Sequence, residues 1–146
     1  GRAFLMDIAI QIATTYKPVP TRALLRDAAK AALTHLNKPG ALCIRVVGER
    51  EAKKLNQTYR HKDYVPNVLS FEGDGDYWGD IVICAAVVAR EATEQSKLYE
   101  AHFVHMVVHG VLHLLGYDHI APDEAQVMEK LECQILVGLG ITNPYE

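Results

Sequence analysis

Residues 109–119 read HGVLHLLGYDH, with three histidines separated by four and then six positions. No other stretch constrains this chain so tightly. On a helix, His109 and His113 sit one turn apart on the same face, close enough to share an ion. Gly116 then offers a natural helix end, because glycine adopts the left-handed conformation at low cost. A turn through Tyr117 and Asp118 can bring His119 back beneath the first two. Three neutral imidazoles around zinc leave a fourth tetrahedral position for water, which is the layout of a catalytic rather than a structural site. Imidazole donors also admit nickel or copper, but the three-histidine geometry fits zinc best.

The same helix carries His102 and His105. At 100° per residue, positions 102, 105, 109 and 113 point within a stripe of about 80°. His102 and His105 therefore extend the histidine face and are expected to support the site or line its cleft. Zinc peptidases share the spacing but place Glu directly after the first histidine, where it shuttles a proton to the leaving amine. This chain has Gly110 there. Glycine cannot move a proton, although it does allow a neighbouring element or a substrate to approach the backbone closely. The pattern thus disfavours a peptidase. It suits phosphodiester cleavage, where a metal and an arginine together stabilise developing charge.

A length of 146 residues predicts one domain over 1–146, with residues 1–5 read as an extension upstream of Met6. The net charge of −3 gives no global attraction for nucleic acid, so RNA contact requires a local basic patch. Arg60, with Lys53, Lys54, His61 and Lys62, supplies one, and a guanidinium grips phosphate through two parallel N–H bonds. Cys43, Cys84 and Cys133 occur singly in apolar runs, as reduced buried thiols of a cytoplasmic protein do. The longest charge-free apolar run, 81–89, is too short to cross a membrane.

Periodicity predicts strands over 6–12, 41–47, 67–71 and 81–85, the last two joined as a hairpin by the acidic loop EGDGDYWGD. Thr21 caps a first helix that ends near Asn37. Glu49 and Glu51 open a second, with Ala52, Leu55 and Tyr59 inward. Helices over 86–95 and 98–115 follow, and a last one starts at Pro122 with Val127, Met128, Leu131 and Ile135 inward. The fold class is α+β: a small mixed sheet of about four strands against about five helices.

Beyond spacing, HGVLHLLGYDH resembles the HGxLHLxGYDH signature of the YbeY family, metal-dependent endoribonucleases of bacterial ribosomal RNA maturation. LNQTYRHKDYVPNVLSF is similar to that family's LNxxYRxKDxxTNVLSF, and WGDIVIC to its LGDIxIC. EAQVMEKLECQIL resembles its closing helix, so the motifs run in family order over roughly 40–140. The resemblance implies that His109, His113 and His119 hold one zinc ion and that Arg60 faces the substrate. It also implies single-stranded RNA as substrate, with work on the small-subunit (16S) rRNA 3′ end, in ribosome quality control, and alongside ribosomal proteins or an assembly GTPase.

Pro66 departs from the pattern, standing where the family has Thr, so a hydroxyl and an N–H donor are lost and the strand is free to start one residue later. The 72–80 loop is shorter and more acidic than the family's approach to GDI, and its DGD lacks the spacing of a calcium loop. Asp80 and Asp118 are each placed to orient a histidine or relay a proton, and Asp118 is equally well a turn residue. Two other readings stand beside the nuclease. One is an rRNA-binding assembly factor with a structural zinc, and the other a metal hydrolase of another substrate.

Overall fold

The structure is a computed structural model and describes residues 6–145; the expected 1–5 extension lies outside the described residues. Strand β1 (Met6–Ala13) leads through helix α1 (Arg22–His35) to β2 (Gly40–Val47). Helix α2 (Glu49–Arg60) precedes the antiparallel hairpin of β3 (Val68–Glu72) and β4 (Tyr77–Cys84). Three helices follow: α3 (Ala85–Glu94), α4 (Tyr99–Leu114) and α5 (Pro122–Gly138). The strand order is β1-β2-β4-β3, with β1 and β4 both parallel to β2. The sheet is therefore mixed, as the sequence leads one to expect, and β1-α1-β2 forms a parallel crossover unit.

Side-chain alternation along the strands divides the interior. Ile44, Val46, Ile81 and Ile83 point into the main core with α1 and α4, whereas Val47, Val82 and Cys84 point the other way, toward Ala52 and Leu55 of α2. Helix α4 is apolar almost all round, and Phe103, Val107, Val108, Val111 and Leu112 have no exposed surface. It packs against α1, α3, α5 and the β3–β4 hairpin at once. The histidine-bearing helix is thus the central helix of the molecule.

How α4 ends decides where His119 goes. Gly116 takes φ +96°, its N–H bonds the carbonyl of His113 at 3.0 Å, and the N–H of Tyr117 bonds that of Leu112 at 3.0 Å. This paired arrangement closes the last turn and reverses the chain. It is the turn that the position of Gly116 predicts.

Three expectations need correction. Strand β4 starts at Tyr77, four residues before the expected Ile81, because Tyr77 and Trp78 are good strand formers and Tyr77 pairs with Ala41 of β2. Only 73–76 remain as the turn, tied by the Gly73 N–H to the Trp78 carbonyl at 2.9 Å. Tyr59 is 58% exposed, since Asn56 takes the inward place on α2 and Tyr59 rests edge-on against Phe71 at 5.4 Å. Val127 is also exposed, because the buried face of α5 is Met128, Glu132, Ile135 and Leu136.

Candidate metal centre

His109 and His113 project from adjacent turns of α4, and His119 returns from the Gly116 turn to meet them. One imidazole nitrogen from each lies within 4.8 Å of the others. The Nε2 atoms of His109 and His113 are 3.0 Å apart, and the His119 ring centroid lies 5.4 Å and 5.2 Å from theirs. Tetrahedral zinc with bonds of about 2.0–2.1 Å holds ligand nitrogens about 3.3 Å apart, so the cluster is of a size to close on one ion. Burial, then the neighbouring His109 and His119, push the His113 pKa down, which keeps its lone pair available.

A fourth residue completes the arrangement; it lies within the EAQVMEKLECQIL segment, to which the motif reading gave no site role. Glu132, from α5, is only 1% exposed. Its Oε2 accepts from His109 Nδ1 at 2.9 Å and from His105 Nε2 at 2.8 Å, while its Oε1 accepts from the Tyr145 hydroxyl at 2.7 Å. Burial alone would raise this carboxyl's pKa, but the hydrogen bonds from His105, His109 and Tyr145 outweigh burial and hold it at about 2. An ionised Glu132 fixes the His109 proton on Nδ1 and turns Nε2 toward the other histidines. The donor set thus fits a metal in its tautomer as well as its spacing.

His102 and His105 are buried and lie behind the centre. His102 Nε2 meets Glu91 at 2.9 Å, and Glu91 also receives the Asn67 side-chain amide at 3.1 Å. The two aspartates make bonds close to their own positions in the chain. Asp80 receives the Tyr77 hydroxyl, and Asp118 accepts the His119 backbone N–H at 2.7 Å as a turn residue.

The histidines open onto a cleft of ≈ 1060 Å³ that is also lined by Arg60, Lys62, Tyr64 and Ser70. Arg60 is the last residue of α2. Its Nη2 donates to the Ser70 carbonyl at 2.6 Å, and its guanidinium lies 4.9 Å from the Phe71 ring centre. These two contacts hold the cation in the cleft without consuming all of its N–H donors. Lys53, by contrast, turns to Asp63 at 3.6 Å. Pro66 lines the cleft, and β3 begins at Val68, one residue later than expected. The Asn67 side chain caps that start by accepting the Val68 N–H at 2.7 Å.

Gly110 faces the sheet rather than the cleft. A Cβ there would lie 2.7 Å from Ile81 Cγ2. The glycine lets α4 settle onto the hairpin, and the Gly110 carbonyl accepts the Ser70 hydroxyl at 3.1 Å. The close approach expected of this residue is therefore to a neighbouring strand, and position 110 does not offer a side chain to the metal cluster.

The family model for endoribonuclease YbeY matches residues 9–140. The chain belongs to this family. It is 53% identical over 128 residues to the endoribonuclease YbeY of Aromatoleum aromaticum, covering 86% of this chain and 81% of that protein. It is 50% identical over 149 residues to that of Nitrosococcus oceani, covering 97% of each. With the protein of that name from Pseudomonas putida it shares 48% over 148 residues, 97% of this chain and 94% of the other. The solution structure of TM1509 from Thermotoga maritima superposes with a TM-score of 0.60 at 26% identity, covering 90% of this chain and 91% of that one. Among the described residues, no helix is long and apolar enough to cross a membrane.

Proposed function

We propose that this YbeY family member is a zinc-dependent endoribonuclease of single-stranded RNA, and that it trims the 3′ end of small-subunit rRNA and takes part in ribosome quality control. The observation that carries the reading is the meeting of three histidines and Arg60 on one cleft. His109, His113 and His119 would hold the ion. When bound, zinc supplies Lewis acidity at neutral pH.

The chain's own groups do the rest. Arg60 grips a backbone phosphate through the donors left free by Ser70, and Lys62 adds charge along the same wall. An open cleft, with Tyr64 on its lining and 54% exposed, suits a flexible strand whose bases can stack on an aromatic ring. No side chain at position 110 provides a peptidase's general base. Work on rRNA places the protein at the ribosome, in the cytoplasm, with ribosomal proteins or an assembly GTPase as neighbours.

Single-turnover cleavage of a labelled single-stranded RNA tests the reading, with His113→Ala protein purified in parallel to expose contaminating nucleases. Cleavage should disappear on chelation, return with zinc and be absent from the variant. Tight RNA binding with no cleavage under any metal would make the protein an assembly factor instead.

A further inference from the structure

We propose that Glu132 is the positioning residue of the metal centre and that Tyr145 locks it, so that the C-terminal turn sets how tightly zinc is held. This rests on the reading of His109 as a ligand. A carboxylate with 1% exposure, set between Met128 and Ile135 on the buried face of α5, is costly to bury unless it is fully bonded. Here three donors from two separate parts of the chain converge on it: His109 and His105 from α4, and Tyr145 from beyond α5. Among the described residues the buried His105 Nδ1 has no hydrogen-bond partner, and the bond from Nε2 to Glu132 is the polar contact that fixes this ring. His105 thus serves the carboxylate and not the ion.

The turn that brings Tyr145 back is itself tied down. Asn143 Oδ1 accepts the Tyr145 N–H at 2.8 Å and the Cys133 thiol at 3.2 Å, joining the segment to α5 next to Glu132. A hydroxyl on Oε1 holds the carboxylate plane, and the carboxylate in turn holds the His109 ring with Nε2 facing the cluster. Removing either partner keeps all three ligand histidines in the chain but frees the His109 ring to rotate or change tautomer. The loss should therefore appear in affinity before it appears in the fold.

Equilibrium competition against a chromogenic zinc chelator reads this directly, on wild type, Glu132→Gln and Tyr145→Phe. Glutamine keeps the volume but removes the charge, and zinc affinity should fall ten- to a hundredfold, the usual range for such partners. Tyr145→Phe removes one oxygen from a half-exposed side chain and should cost a smaller, severalfold loss. Histidine ¹⁵N NMR of the zinc-loaded wild type supplies a readout that needs no variant: His109 should carry its proton on Nδ1. Unchanged affinity in folded Glu132→Gln, or a His109 proton on Nε2, overturns the positioning role. Unchanged affinity in Tyr145→Phe overturns the lock, whether or not the glutamine variant folds. Wild type that binds no zinc at all would instead overturn the metal centre beneath both.

Discussion

Arg60 performs two tasks with one guanidinium. It ties the end of α2 to the Ser70 carbonyl of β3 and presents its remaining donors to the cleft. Arg60→Ala should leave zinc content intact and reduce single-turnover RNA cleavage about ten- to a hundredfold, the worth of a charge-assisted contact of about 1.5–3 kcal/mol. Arg60→Lys should recover only part of it, because an ammonium lacks the planar fork. Wild-type cleavage by the alanine variant would remove Arg60 from the site. The cysteines are the contrast. Burial pushes the Cys43 and Cys84 thiols up, so at a given pH less thiolate forms. Both should resist alkylation at pH 8 in native protein and react readily in urea; rapid native labelling of either would contradict their burial. The clustering of His109, His113 and His119 and the presence of Arg60 on their cleft were legible because helix spacing and a short motif carry them. Glu132 was not, because its partner is 23 residues away in sequence. One signal was there to read: an acidic residue four after Met128 and three before Ile135 falls on an apolar helical face.

At the scale of elements, the packing of α4 on the hairpin turns on Gly110. Helix propensity alone makes Gly110→Ala stabilising by about 1 kcal/mol. The added methyl meets Ile81 Cγ2 at 2.7 Å, and Ile81 is β-branched and fully buried, so it has little room to turn aside. Overpacking of this kind costs about 1–3 kcal/mol, so the net effect in chemical denaturation should be neutral to destabilising. In an Ile81→Ala background the same substitution should become favourable. A stabilising Gly110→Ala in the wild-type background would mean that α4 does not seat this closely. The sequence identified this glycine as a point of close approach, yet the neighbour's identity depends on tertiary packing, which no local pattern reports. Element boundaries show the same limit. The end of α4 followed from Gly116, whereas the start of β4 was missed because its first residues look like an acidic loop until β2 pairs with them.

For the whole molecule, the centre draws on distant parts of the chain together: α4, the turn after it, α5 and the segment that carries Tyr145. Metal binding should therefore stabilise the folded state globally. A hundredfold excess of zinc over its dissociation constant adds about 2.7 kcal/mol, or roughly 5–10 °C in melting temperature for a chain of this size. Chelation should reverse that rise, and His113→Ala should melt at a temperature independent of zinc. A zinc-dependent shift of equal size in the variant would place the ion elsewhere. If three histidines hold one zinc with a position left open, X-ray absorption at the zinc edge of protein purified without added metal reads that coordination out. The expected result is one equivalent of zinc with three imidazole nitrogens at about 2.0–2.1 Å and one further light atom from solvent. Folded protein without a bound transition metal, or zinc closed by a fourth protein ligand, would contradict it.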